Sequence, residues 1–254
     1  MYRKILYEVS GGIARITLNR PDKRNALDGE MVAELKSALN ASATDAQCRM
    51  VLLSGAGTDF CSGADLANLE KTAQADVLDN LADARFTAEL FLAMRNHPRP
   101  VVAAVRERAL AGGCGIATAC DIILAAQSAQ FGYPEVNIGF VPAMVMAILR
   151  RSVSEKAAFE LVVTGETISA RRAHDLGLAH RVFADNQFAA EVETYVKRLA
   201  GKSGSAVLLS KRLLYNMDSM SFEAALQAGT EINALARQTE DCRKGVERFL
   251  NKKA

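Results

Sequence analysis

The spacing of apolar residues changes several times along the chain, and each change marks an element. Residues 2–8 and 13–19 read as two short strands around Ser10-Gly11-Gly12, a hairpin signal. In Ala14-Arg15-Ile16-Thr17-Leu18-Asn19 apolar and polar positions alternate, so one face of that strand is solvated or only partly covered. After the loop Arg20-Pro21-Asp22-Lys23-Arg24-Asn25, Asp28 is placed to cap a helix running to about residue 43, with Met31, Leu35, Ala38 and Leu39 on one face. Residues 50–54, apolar from Met50 to Leu53, are expected as a buried strand, and residues 60–66 as a turn into a helix. Residues 67–96 read as helical with weak periodicity, least clearly over 72–80.

A second β-branched run, residues 101–105, is preceded by Pro98 and Pro100, which cannot donate to a ladder, and reads as another short buried strand. Small residues then fill 111–120 as a helix opened by Gly112-Gly113, and 121–125 is the next strand. Helices are expected over 142–151, over 154–164 capped by Ser154, and over 171–177 capped by Ser169, with a last strand over 178–183. From 188 onward only helices follow: 188–200, 203–217, 221–238 and 241–250. Strands therefore alternate with helices and then stop. This pattern predicts an α/β core over residues 1–187 and a helical C-terminal subdomain over 188–254. A strand–turn–helix unit recurs near 13–43, 48–70 and 98–120.

Composition narrows the function classes. The 254 residues can bury a sizeable core, and with 50% hydrophobic and 24% charged residues the chain is ordinary globular protein. A net charge of +2 with scattered Lys and Arg gives no nucleic-acid footprint, and no apolar run approaches a membrane span. Charges at Arg3 and Lys4 come too early for a signal peptide. Five widely spaced cysteines form no CxxC pair and the three histidines do not cluster, so no metal site is expected and a reducing cytoplasm is the natural setting.

The candidate chemistry centres on Gly112-Gly113. A glycine pair opening a helix leaves its first N–H groups unpaired, and such donors suit an anion or a developing oxyanion. Tight packing alone explains the same composition. A dinucleotide loop does not: Gly113-x-Gly115-x-x-Thr118 is a partial fingerprint, but the strand at 121–125 follows too soon for the crossover helix of a βαβ unit.

Residues 109–125, Ala-Leu-Ala-Gly-Gly-Cys-Gly-Ile-Ala-Thr-Ala-Cys-Asp-Ile-Ile-Leu-Ala, followed by Phe131-Gly132-Tyr133-Pro134-Glu135, resemble the central signature of the enoyl-CoA hydratase/isomerase (crotonase) superfamily. The resemblance extends from about Ile13 to Lys252 and implies a crotonase-like ββα spiral core. It implies an acyl-CoA substrate with coenzyme A as part of that substrate, no resident cofactor, and a homotrimer or dimer of trimers. It places oxyanion donors on the amides of Ser62 and Gly112 and the catalytic acid–base on Glu135, whose apolar surroundings would raise its pKa. Lys23, Arg24 and Ala26 match the loop that meets the nucleotide portion of CoA, and Ala64, Asp65 and Leu66 the strip beside adenine. Phe249 and Lys252 match residues of the closing helix that contact CoA, often from a neighbouring subunit.

Two positions depart from the family pattern. Gly115 stands where two-glutamate hydratases carry their second acid, and Ser62, Asp65 and Cys114 are the nearby groups able to assist. The resemblance thus implies syn hydration of a 2-enoyl-CoA, methylglutaconyl-CoA-like substrates included. Δ3,Δ2-isomerisation by the single glutamate is the alternative, and a non-catalytic CoA-ester or RNA-binding protein the remote one. The other departure is Glu107, where relatives usually carry a small residue.

Overall fold

The computed structural model describes residues 2–65, 70 and 72–251. Its larger sheet begins with an antiparallel hairpin of β1 (Ile5–Ser10) and β2 (Ile13–Leu18). Gly11 and Gly12 join them with φ of +59° and +78°, the left-handed pair a tight two-residue turn requires. The helix α1 (Gly29–Thr44) follows, its first turn closed by Met31 N–H donating to the Asp28 carboxylate at 2.9 Å. Then come β3 (Met50–Gly55), α2 (Val77–Arg95) and β4 (Val101–Val105). The weak periodicity ahead of residue 96 has a cause: α2 buries only Leu90, Phe91 and Met94, all near its end.

A short strand β5 (Arg108–Leu110) leads to α3 (Gly112–Ala119), then β6 (Ile122–Ala126) and β7 (Gln130–Gly132). The helices α4 (Ala143–Ser152) and α5 (Glu155–Thr164) precede β8 (Thr167–Ser169), α6 (Ala170–Asp175) and β9 (Arg181–Phe183). Four C-terminal helices close the chain: α7 (Phe188–Ala200), α8 (Gly204–Asn216), α9 (Phe222–Gln238) and α10 (Glu240–Asn251).

The six-stranded sheet has the order β1-β2-β3-β4-β6-β9, parallel from β2 onward, and β5-β7-β8 form a second, three-stranded sheet. One face of the large sheet packs Ile16, Val51 and Leu53 against Met31, Leu35, Leu90 and Met94 of α1 and α2. Its other face packs Met50, Leu52, Val102 and Leu124 against Phe188, Val192 and Val196 of α7. Strands covered on both sides need apolar residues at every covered position, which is why β4 and the first four residues of β3 are unbroken apolar runs.

The helix α7, first of the four beyond residue 187, therefore lies on the sheet. The helices α8, α9 and α10 bury no residue of their own among those described. Two polar clasps hold α8 and the turn after it to the core. Asp121 accepts from Lys211 Nζ at 2.8 Å, from the Tyr215 hydroxyl at 2.5 Å and from Val101 N–H at 2.7 Å. Asp218 accepts from Arg151 Nε at 2.6 Å and also pairs with Arg95.

Glu107 sits between β4 and β5 with φ of +45°, and its carbonyl accepts from Gln130 N–H at 2.7 Å. A left-handed position of this kind favours glycine, so Glu107 holds a strained backbone conformation.

Candidate active site

Three segments that run in the same direction end side by side. The strand β5 pairs with β7 in parallel, Leu110 opposite Gly132, and a parallel bridge joins Cys61 to Ala109 on the other edge of β5. The chain beyond Cys61, the chain beyond Leu110 and the chain beyond Gly132 therefore emerge at one rim. They carry Ala64, Gly112 and Glu135 respectively. Ligands of α/β proteins collect at such carboxyl ends of parallel strands.

Two backbone donors face that rim. Leu27 N–H donates to Gly63 O at 2.7 Å and Asp65 N–H to Leu27 O at 2.8 Å, so the Leu27–Ala64 bridge uses the peptide groups flanking Ala64. The Ala64 N–H points to the opposite side and has no hydrogen-bond partner among the described residues. Gly112 opens α3, and its N–H, one of the orphan donors of a helix start, is likewise unpaired among the described residues.

The two donors are brought together by glycines. A β-carbon on Gly63 would stand 2.8 Å from Ala111 Cβ, and one on Gly113 would stand 2.4 Å from Cys61 O. Neither segment could close on the other with a side chain at those positions.

The expected donor at Ser62 is corrected by the same geometry. Ser62 N–H donates to Arg24 O at 3.0 Å and is committed to the neighbouring loop. Ala64, two residues on, offers its amide instead. Sequence reasoning has no means to separate them, because alternate peptide groups of an extended segment point to opposite sides and only the bridge to Leu27 fixes which.

Glu135 lies in the 3-10 turn Pro134–Ile138, whose Gly139 closes it in the left-handed conformation. Its Oε2 is buried with no hydrogen-bond partner among the described residues, and burial raises the pKa of the carboxyl above the ordinary 4.5. An orphaned buried oxygen calls for a reason, and a proton-transfer role supplies one.

The groups expected to assist, and the neighbouring Tyr133, offer no free second carboxylate. Burial pushes the Cys114 thiol up to about 11 and holds the Tyr133 hydroxyl well above its usual range, so both stay protonated near neutrality. Asp65 accepts from Arg20 Nη2 at 2.7 Å. At Gly115 itself there is no room for a carboxylate, since an added β-carbon would stand 2.5 Å from a methyl of the buried Val145.

The residues expected to meet CoA divide into three groups. Lys23 and Arg24 are exposed, Ala64 is exposed beside them, and Ala26 is buried with its carbonyl accepting from Arg20 Nη1 at 2.6 Å. These and Asp65 gather at one corner of the rim. Phe249 is exposed on α10, which packs against α8 and α9. Leu66 and Lys252 lie outside the described residues.

Sequence reasoning passes over the residues that organise this corner. Asn25, wholly buried, donates through Nδ2 to Ala56 O at 2.9 Å and Asp59 O at 2.8 Å, and its Oδ1 accepts from Arg20 N–H at 2.9 Å. Arg20 pairs with Asp28 at 3.1 Å as well as with Asp65. The available signal is Asn25 itself, a side chain that tolerates the left-handed backbone found here at φ of +55°. Among the described residues no helix is long and apolar enough to cross a membrane.

Comparison with known proteins adds independent findings. Residues 8–254 match the family model described as enoyl-CoA hydratase/isomerase. A Thermus thermophilus protein with a provisional enoyl-CoA hydratase name is 37% identical over 243 residues, covering 96% of each chain. The 2,3-dehydroadipyl-CoA hydratase of Escherichia coli is 32% identical, covering 94% of this chain and 92% of its own. An enoyl-CoA hydratase structure from Mycobacterium smegmatis superposes with a TM-score of 0.94 at 33% identity, covering 98% of this chain and 97% of that one.

Proposed function

The chain belongs to the enoyl-CoA hydratase/isomerase family and has the crotonase fold, and from there we propose that it adds water in syn fashion to a 2-enoyl-CoA with Glu135 as its one acid–base group. The observation that carries the reading is the buried Oε2 of Glu135, without a partner among the described residues, at the rim where the Ala64 and Gly112 amides are likewise unpaired among them.

The thioester carbonyl oxygen accepts from both amides. The Glu135 carboxylate takes a proton from water as the water oxygen bonds to C3. The electron pair of the double bond moves into the thioester, giving an enolate whose charge rests between the two N–H groups. Protonated Glu135 then returns the same proton to C2, so one water is consumed and the enzyme is restored. Each donor of this kind is worth roughly 2.7–4 kcal/mol of barrier.

Lys23 and Arg24, exposed at the corner beside Ala64, are suited to the phosphates of CoA. Phe249 and Lys252 would reach CoA from the closing helix of a neighbouring subunit in a trimer or dimer of trimers. Coenzyme A comes with the substrate, and the reading calls for no other cofactor.

A second reading is Δ3,Δ2-isomerisation, favoured by Val145 filling the space beside Gly115. With one carboxylate and no second acid to hold a water, the same Glu135 would carry a proton between C2 and C4. The test is to supply 2-enoyl and 3-enoyl thioesters of several chain lengths to wild type and Glu135→Gln. Hydration gives a product heavier by one water from the 2-enoyl substrate, lost in Glu135→Gln. Turnover of the 3-enoyl substrate alone selects isomerisation. A full rate in Glu135→Gln overturns both.

A further inference from the structure

Glu135 carries the proton in the reading above, yet among the described residues no hydrogen bond fixes its buried Oε2. Its position must come from the backbone on either side. Gly139 closes the turn after it. Before it stand Pro134, with its φ set by the ring, and Tyr133.

Tyr133 is fully buried, and its hydroxyl lies 2.6 Å from Thr118 Oγ1. The direction of this bond follows from counting protons. Thr118 has one hydroxyl hydrogen, and it is donated to Cys114 O at 2.8 Å. Tyr133 is therefore the donor to Thr118. The chain Tyr133 O–H, Thr118 O–H, Cys114 C=O links the segment carrying Glu135 to α3, the helix whose first amide belongs to Gly112.

A second link joins the same two elements: Ala111 N–H donates to Gly132 O at 2.9 Å. It sits at the very start of α3, and Thr118 lies six residues beyond Gly112 along that helix. One tie leaves a segment free to pivot about it; two ties at separate points remove the pivot.

We infer that Tyr133 is a positioning residue, which holds the carboxylate of Glu135 in register with the Gly112 amide through its hydroxyl on Thr118. The inference rests on the proposed role of Glu135 and adds the group that aims it. Misplacing a reacting group by about 1 Å costs on the order of 100-fold in rate, so a partial loosening shows in turnover before it shows in folding. CoA affinity, set at the Lys23–Arg24 corner, is remote from this link.

The experiment compares Tyr133→Phe, Thr118→Val and Thr118→Ser with wild type for kcat, KM, melting temperature and the acid limb of the kcat/KM profile. The titratable neighbours of Glu135, Tyr133 and Cys114, stay protonated throughout, so that limb reports Glu135. Tyr133→Phe and Thr118→Val are expected to lose at least about tenfold in kcat, with KM within about twofold. Their acid limb should move to lower pH as the loosened carboxyl gains water. Thr118→Ser, which keeps the hydroxyl, should match wild type, and the Phe/Val double variant should lose no more than the worse single one.

Unchanged kcat and acid limb in Tyr133→Phe, with only a lower melting temperature, would overturn the inference. Should Tyr133→Phe fail to fold, the same two readouts in Thr118→Val decide it. Glu135→Gln in the same assay separates the two claims: its full activity would sink the role of Glu135, and its inactivity beside a wild-type Tyr133→Phe would sink this one.

Discussion

The Cγ2 methyl of Val145 stands 2.5 Å from where a β-carbon on Gly115 would lie. One residue on α4 thus fills the place of an acidic side chain on α3. Gly115→Glu alone should overpack the interface and cost about 1–3 kcal/mol, read as a lower melting temperature. Combining it with Val145→Ala should recover part of that loss. It should also raise the ratio of water addition to double-bond migration, measured as product ratio from a 2-enoyl thioester.

Glu135 supplies a prediction about pH and stability. Burial raises its carboxyl above 4.5, so the folded state holds the proton more tightly than the unfolded chain does. Ionisation therefore disfavours the fold, and the penalty grows as pH rises from about 4.5 through the raised folded value. Glu135→Gln, which cannot ionise, should melt higher than wild type at pH 7 to 8, and the difference should close near pH 4. Denaturant melts of both proteins across that range check it.

At Glu107 the backbone is left-handed, with φ of +45°. That conformation costs an L-residue roughly 1–2 kcal/mol, whereas glycine gives up only about 0.5–1 kcal/mol in chain entropy. Glu107→Gly should therefore raise the melting temperature slightly. Glu107→Val, β-branched, should lower it.

Asp121 is the anchor of α8. Its removal would leave Lys211, whose side chain is 9% exposed and whose pKa burial already lowers, as an uncompensated buried cation. Asp121→Ala should cost about 3–5 kcal/mol. Limited proteolysis should then cut between residues 203 and 221 well before the sheet region, where the wild type resists at both.

Much of the fold was legible in the chain itself. The runs at 50–54 and 101–105 are strands because both faces of their sheet are covered, and Asp28, Ser154 and Ser169 cap the helices expected of them. The three-residue strands β5, β7 and β8 left no readable pattern, and they frame the site. Ser62 and Ala64 differ in which way an amide points, a property of pairing partners far along the chain. The filling of the Gly115 space by Val145, thirty residues later, is also invisible to local pattern.

The rim where three segments end together has a consequence for how activity is lost. Its parts are held by contacts between residues near 27, 61–64, 108–112 and 130–135, each far from the next in sequence. No single stretch can preserve a working fragment on its own. As denaturant rises, turnover should disappear together with the spectroscopic signal of the whole β-layer. A protein poisoned by one distant core cavity would then look, in the assay, like one struck at the carboxylate.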